Sequence, residues 1–227
     1  MQKFLLCLMI FMLVISSGER WLTAKEQNLF DQAMEARGKG ENEKALKILE
    51  QCVEEGVEVH RAYFEMGEIL LEEGKYRRAI SVSEKAIKAY EEYLKVHPED
   101  HNAWWELGYI HSIRSNYNYS NEWKEAQEAL EKAVELTPYN SFYLLYLGWI
   151  YYKKGDNEKA EGTFKKILDK NPEDFQARYF LADTLIDAGK QEEAKQELTY
   201  ILEKCPKENV AYSWAQEKRK ELEGDNK

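Results

Sequence analysis

Residues 141–174 read SFYLLYLGWIYYKKGDNEKAEGTFKKILDKNPED, and residues 175–208 follow with FQARYFLADTLIDAGKQEEAKQELTYILEKCPKE. Each stretch is 34 residues long, and Gly155 of the first corresponds to Gly189 of the second. Self-similarity at a fixed period of this size indicates stacked supersecondary units rather than one globular core. The repeat therefore decides the architecture.

The same period extends over most of the chain. Each of the four prolines stands just before a new amphipathic stretch, where one helix must stop and the next begin. The residues that mark the period are Gly40 and Gly74, Ala45 and Ala79, the series Ala126, Ala160 and Ala194, and the prolines Pro98, Pro138, Pro172 and Pro206.

The order of residues inside a unit resembles the tetratricopeptide repeat. The third unit carries Trp104, Leu107, Gly108, Ala126, Leu130, Ala133 and Pro138, and the fourth carries Leu144, Leu147, Gly148, Tyr151, Ala160, Phe164, Ile167 and Pro172. The resemblance implies an all-α, right-handed superhelical solenoid of about five helical hairpins and a C-terminal capping helix. We expect repeats at about 26–59, 60–100, 101–140, 141–174 and 175–208, a capping helix at 209–223 and a tail at 224–227.

Small residues are expected to let the two helices of each hairpin touch. Gly67, Gly108, Gly148 and Ala182 in the first helices would face Ala79, Ala126, Ala160 and Ala194 in the second helices. Two units depart from the standard length. Extra residues at 89–96 predict about two more turns on the second helix of unit two, and 115–122 is an insertion between the helices of unit three.

The N-terminus has the order of a secretory signal. Lys3 precedes an apolar run from Phe4 to Ile15, and Ser16 and Gly18 are small residues at a spacing that a signal peptidase accepts. We expect residues 1–18 to be the signal and 19–223 to be the mature solenoid, exported to a periplasm or secreted. The alternative is an uncleaved anchor, although the run is shorter than the roughly 20 residues of a membrane span.

Composition argues against several function classes. A formal net charge of -10 and the lack of a Lys or Arg cluster disfavour nucleic acid. His97 and His101 flank the helix breaker Pro98 and are interpreted as turn residues, so no metal site is predicted. Phosphate-binding loops, nucleophile elbows and paired cysteines are missing from the sequence, and we predict neither an enzyme nor a cofactor. Cys52 is expected to be buried.

The family resemblance implies that first helices line a concave groove that receives a peptide or helix of a partner. Carried over position by position, the groove residues are Phe30, Phe64, Trp105, Tyr109, Phe142, Leu145, Trp149, Tyr152, Tyr179 and Ile186, with the carboxylates Glu68, Glu72, Asp183 and Asp187 beside them. Aromatic residues dominate binding hot spots. They also fill cores, and the sequence leaves open whether these rings face solvent or the stack between units.

The expected function is therefore a scaffold or adaptor for a segment of a partner protein, in cell-envelope assembly. A glycan-binding or polysaccharide-export accessory role is the alternative, because aromatic rings with nearby carboxylates also suit sugars. Relatives that bind acidic chaperone tails use lysines and an asparagine on these faces. Phe64, Trp105 and Leu145 stand there instead, which argues against that ligand.

Overall fold

The structure is a computed structural model, and it describes residues 24–117 and 120–224. The predicted signal at residues 1–18 lies outside this part. The described residues form eleven α-helices and no strand. The helices are α1 Ala24–Gly38, α2 Asn42–Glu55, α3 Val59–Glu72, α4 Tyr76–Val96, α5 His101–Asn116, α6 Trp123–Leu136, α7 Ser141–Lys153, α8 Asn157–Leu168, α9 Phe175–Asp187, α10 Gln191–Lys204 and α11 Val210–Gly224.

The chain divides into two compact units at residues 89 and 90, inside α4. In the first unit, α1 to α3 and the start of α4 share one core, in which Leu49, Ile69 and Leu70 are fully buried. In the second unit, α5 to α11 bury Leu130, Phe164 and further apolar side chains. The five helix pairs and the last helix α11 confirm the predicted all-helical hairpin fold.

The recurring glycines end the first helix of a hairpin. Gly155 has φ 77°, and its N–H donates to the carbonyl of Tyr152 at 2.9 Å. Gly189 repeats this at φ 75° with the carbonyl of Ile186, also at 2.9 Å. Residues with a Cβ disfavour this left-handed conformation, so glycine marks the tight turn in four of the five hairpins, and the third has the 115–122 insertion there instead.

The recurring prolines belong to helix starts. Pro172 stands two residues before Asp174, whose carboxylate accepts a hydrogen bond from the backbone N–H of Ala177 at 3.0 Å. Asp100, two residues after Pro98, does the same for the first turn of α5. A side-chain acceptor satisfies an N–H group that the helix itself leaves unpaired. Proline followed by such a cap therefore marks where units three, four and five begin, whereas α3 of unit two begins without a proline.

Two glycines allow close contact between the helices of a hairpin. A Cβ on Gly108 would lie 2.8 Å from Cγ of Leu130 and 3.1 Å from the carbonyl oxygen of Ala126. A Cβ on Gly148 would lie 2.6 Å from the ring of Phe164. The prediction is wrong for Gly67, because nothing lies within 4 Å of the place where its Cβ would be. Open space faces Gly67, so the second hairpin does not need a glycine there.

The two segments that depart from the standard repeat length, 89–96 and 115–122, add neither a strand nor a separate helix among the described residues. Helix α4 has 21 residues, against 14 in the corresponding helix α6, as the extra residues predicted. The described ends of the 115–122 insertion are fixed to α5. Oγ of Ser115 accepts the backbone N–H of Glu122 at 2.7 Å, and the Glu122 carboxylate accepts from Arg114 at 3.0 Å and lies 2.7 Å from Nδ1 of His111.

Burial shields the two described cysteines from solvent. Cys52 and Cys205 are free and buried, as expected for Cys52. Burial raises the pKa of the Cys52 thiol to about 11, so it stays protonated at neutral pH.

None of the described helices is both long and apolar enough to cross a bilayer.

Paired alanine substitutions test the close contact of helices. Gly108→Ala should lower the free energy of unfolding by about 1–3 kcal/mol, because the added methyl group overlaps Leu130 and the Ala126 carbonyl. Gly67→Ala is the matched control and should raise it by about 0.5–1 kcal/mol through helix propensity. Urea unfolding followed by circular dichroism measures both, and equal effects of the two variants would contradict the packing argument.

The contacts of Glu122 with His111, Arg114 and Ser115, which we call the Glu122 clamp, predict that the stability of the protein depends on pH. Burial would raise the pKa of Glu122, but hydrogen bonds with His111 and Arg114 outweigh it and hold the pKa below its usual value of 4.5. A carboxyl group whose pKa is lower in the folded state stabilises the protein at pH values above its unfolded-state pKa. This stabilisation is lost as the pH falls through the folded-state pKa.

Glu122→Gln should therefore destabilise the protein by about 1–2 kcal/mol at pH 7, with the difference shrinking below about pH 4.5. Thermal unfolding at a series of pH values measures this difference. The control is the exposed neighbour Glu125→Gln, which should change little at any pH. A Glu122→Gln effect that is equally large at pH 3 and pH 7 would refute the clamp.

Candidate partner-binding groove

The first helices of three successive hairpins in the second unit surround a cavity of about 180 Å³. Helices α5, α7 and α9 supply its walls, and the packing of their own hairpins holds them side by side. The lining residues are Tyr109, Ser112, Ile113, Asn116, Leu145, Tyr146, Trp149, Gln176 and Phe180. We call this surface of α5, α7 and α9 the groove.

Rings at one end of the groove join α5 to α7. Trp105 stacks on Tyr109 with centroids 5.4 Å apart and lies 5.0 Å from the Phe142 ring. Tyr146 meets Trp105 and Phe142 edge-on, at 5.7 and 5.0 Å. Such contacts stabilise beyond the area they bury. These rings therefore hold two repeats together, while Phe142 remains 48% exposed.

Two of the cavity walls are half-buried rings, each of which packs against another aromatic ring on the side away from the cavity. Trp149 packs edge-on against Trp123 at 5.7 Å, and Phe180 stacks on the buried Phe164 at 5.8 Å. A ring fixed in this way offers apolar surface to a ligand without losing side-chain freedom on binding. The cavity is thus a preformed apolar site.

Polar groups stand at the edge of the cavity. Ser112 is buried, and its hydroxyl donates to the carbonyl of Tyr109 at 2.7 Å. Asn116 and Gln176 are exposed amides on opposite sides, one from α5 and one from α9. Each amide can both donate and accept a hydrogen bond, which suits the backbone of an extended peptide.

A charged cluster lies one helical turn beyond the cavity. Asp183 follows Phe180 by three residues, and Nζ of Lys218, from α11, lies 3.4 Å from Oδ1 of Asp183 and 3.1 Å from Oε2 of Glu221. Burial raises the pKa of Asp183, although Lys218 acts in the opposite direction. The carboxylate thus carries a cost of burial that its ion pair does not fully offset.

Two tyrosines border the same cluster. Burial and the nearby carboxylates raise the pKa of Tyr152 and of Tyr179 to about 12. Hydrogen bonds join Tyr152 to Asp187 and Tyr179 to Asp183. The Trp214 ring of α11 completes the border, 5.0 Å from the Tyr179 ring.

The predicted groove residues divide by position. Tyr109, Leu145 and Trp149 line the cavity, whereas Trp105 and Phe142 lie in the ring cluster beside it. Tyr152, Tyr179 and Ile186 are half-buried on α7 and α9. The sequence left open whether these rings face solvent or pack between units. In the structure they do both, because they pack between repeats and also border a cavity.

In the first unit the prediction is wrong for Phe30. Its side chain is 3% exposed in the core, and the guanidinium of Arg61 covers its ring at 4.5 Å. Phe64 is half-buried on α3. Glu72 pairs with Arg37 at 2.6 Å, and Arg37 also pairs with Glu65.

Several cavity residues were not predicted from the sequence. Ser112, Ile113 and Asn116 follow Tyr109 on the same face of α5, Tyr146 precedes Trp149 by three residues, and Gln176 and Phe180 come from α9. Helical spacing from Tyr109 and Trp149 could have suggested those on α5 and α7. No signal in the sequence distinguishes Phe180, which also packs on the core.

Other polar clusters have structural explanations. His101 begins α5 rather than lying in the turn, and its Nδ1 lies 2.9 Å from the Tyr143 hydroxyl. A second cavity of about 570 Å³ is lined mainly by residues of α6, four of which are glutamates. Across residues 24–117 and 120–224, no group of three or more His, Cys, Asp or Glu side chains could hold a metal ion.

Family profiles match consecutive parts of the chain. Two profiles described as tetratricopeptide repeat match residues 60–93 and 83–141. A profile described as anaphase-promoting complex, cyclosome, subunit 3, matches residues 119–199. No curated protein sequence matches the chain significantly.

Solved structures show the same fold at low sequence identity. The chain is 21% identical to residues 41 to the end of MamA from Desulfovibrio magneticus RS-1, with a TM-score of 0.62, covering 81% of this chain and 96% of that one. It is 20% identical to YrrB, described as a tetratricopeptide repeat protein with an unusual peptide-binding site, with a TM-score of 0.63, covering 85% and 90%.

A tetratricopeptide repeat protein from Parabacteroides merdae ATCC 43184 is 17% identical, with a TM-score of 0.64, covering 85% of this chain and 72% of that one. Residues 60–141 of the chain match tetratricopeptide repeat profiles, and the helical hairpins and the 34-residue period of the described residues agree with that repeat fold.

Proposed function

We propose that this protein is an exported scaffold that binds an extended segment of a partner protein in the groove of α5, α7 and α9, in support of cell-envelope assembly. The observation that carries the proposal is the cavity between these helices, with apolar walls and amides at its edge. Such concave apolar sites with a few placed polar groups are the usual form of a binding site.

The chemistry of the site favours a peptide as the occupant. One large apolar side chain fits between Tyr146, Trp149 and Phe180, and the amides of Asn116 and Gln176 can pair with its backbone. YrrB, with the same fold, is described as having a peptide-binding site, which supports a similar use here. The groove offers rings where chaperone-tail binders present lysines, so an acidic tail is not the expected ligand.

Export is the second part of the proposal, and the N-terminal sequence supports it. Lys3 and the apolar run that follows have the order of a signal peptide. Mass spectrometry of the protein from its native host should find a mature N-terminus at Glu19 in the periplasmic or secreted fraction. An intact Met1 in a membrane fraction would point to an anchor, and one in the cytosol would refute export.

Variants that fill the cavity test the binding site. Gln176→Trp places a large side chain at the exposed edge of the cavity and should abolish partner binding, while Gln196→Trp on α10 makes the same exchange on the back of the same hairpin. A photoreactive amino acid at Asn116 should crosslink a defined segment of one envelope protein in living cells. That crosslink should persist with Gln196→Trp and disappear with Gln176→Trp.

Other results would point elsewhere. Crosslinks from Asn116 that ignore Gln176→Trp would refute the groove as the binding site. A glycan is the second candidate, favoured by the combination of rings and amides around the cavity. Retention on envelope polysaccharide that is lost with Gln176→Trp but not with Gln196→Trp, without any protein crosslink, would support the glycan instead.

A further inference from the structure

The charged cluster beyond the cavity indicates what else the bound segment carries. Trp149 and Phe180 line the cavity, and one turn further along the same two helices stand Tyr152 and Asp183. Asp187 follows Asp183 by one more turn. The apolar cavity and the carboxylates are therefore adjacent parts of one surface, formed by α7 and α9.

The cluster has an excess of negative charge. Asp183, Asp187 and Glu221 contribute three carboxylates, and among the described residues the cation that reaches them is Lys218. Lys218 is shared between Asp183 and Glu221, and the Asp183 side chain is only 13% exposed. A partly buried carboxylate group with one cation for three anions attracts a further cation.

Asp187 and Glu221 are the exposed members of the cluster, and Asp187 is the one that lies on the groove helix α9. Tyr152 holds it by a hydrogen bond, and Asp183 with its Lys218 partner lies behind it. The rings of Tyr152, Tyr179 and Trp214 border the site, and Trp214 is 37% exposed. A flat cation stacks on such rings while pairing with a carboxylate, which suits a guanidinium better than an ammonium group.

We infer that the partner segment combines one large apolar side chain, which fills the cavity, with an arginine that binds at Asp187. This inference rests on the proposed function and specifies the ligand of the same groove. Charge complementarity carries it, because no charged side chain lines the cavity and the cluster beyond it holds three carboxylates against Lys218, while the nearby Lys153 lies over the Trp149 ring at 5.7 Å.

The spacing of the two anchors follows from helix geometry. From Phe180 to Asp187 is about 10 Å along α9 at roughly 1.5 Å per residue. An extended peptide advances about 3.3 Å per residue, so it spans this distance in about three residues. The arginine should therefore stand two to four positions from the apolar residue.

Selection from a random peptide library tests this motif. Random 12-residue peptides displayed on phage are selected on the full chain. The enriched peptides should share Leu or an aromatic residue with an Arg two to four positions away. In calorimetry with one enriched peptide, replacing its Arg by Gln should weaken binding about 10-fold, as expected for a lost charge-assisted hydrogen bond.

A charge reversal in the protein completes the test. Asp187→Lys should weaken the Arg peptide about 10-fold or more and leave its Gln counterpart unchanged within about 2-fold. Asp169→Lys is the matched control, since Asp169 is also exposed and stands at the C-terminal end of a helix, α8. This control should alter neither affinity, and a variant that still unfolds cooperatively shows that the fold is intact.

The outcomes separate the inference from the proposed function. Enriched peptides that lack a basic residue, or equal binding of the Arg and Gln peptides, would overturn the arginine site. If Gln176→Trp still abolished that binding, the groove itself would stand. Enriched peptides whose binding ignores Gln176→Trp, or no enrichment at all, would overturn both.

Discussion

The structure depends on how closely the two helices of a hairpin approach each other. Gly108 stands against Leu130, and Gly148 stands against the ring of Phe164, at distances that leave no room for a methyl group. In the fifth hairpin, Ala182 and Ala194 are completely buried. A single amphipathic hairpin cannot cover its own apolar surface, so neighbouring hairpins within each of the two units pack on one another and extend the core of that unit.

This packing explains why the aromatic residues both fill the contacts between helices and border the cavity. Stacking brings α5, α7 and α9 side by side, and rings such as Trp105 and Tyr146 fill the seams between them. Where α9 follows α7 the filling is incomplete, and Trp149 and Phe180 are left bordering a cavity. Stability and the proposed binding thus draw on one set of rings, and an alanine at Trp105 would disturb the packing of α5 on α7 as well as the groove.

The sequence predicted the fold well, because its signals are local. A glycine needed at positive φ, as at Gly155, and a proline two residues before an N-cap, as at Pro172 and Asp174, reveal the ends of helices directly. Period alone could not show that Gly67 faces open space, since the nearest side chain is set by the path of α4. Burial of Phe30 under Arg61 likewise depends on a contact between helices.

The candidate site was less predictable from the sequence. The cavity joins residues of three repeats, and the pair Asp183 and Lys218 joins α9 to α11, so neither can be predicted from the sequence of one repeat.

A crystal structure of the chain with a bound partner-derived peptide would show whether the groove of α5, α7 and α9 is the binding site. We expect an apolar side chain of the peptide in the cavity between Tyr146, Trp149 and Phe180, with the peptide backbone on the amides of Asn116 and Gln176. A peptide bound on the faces of α6, α8 or α10, with this cavity empty, would contradict it.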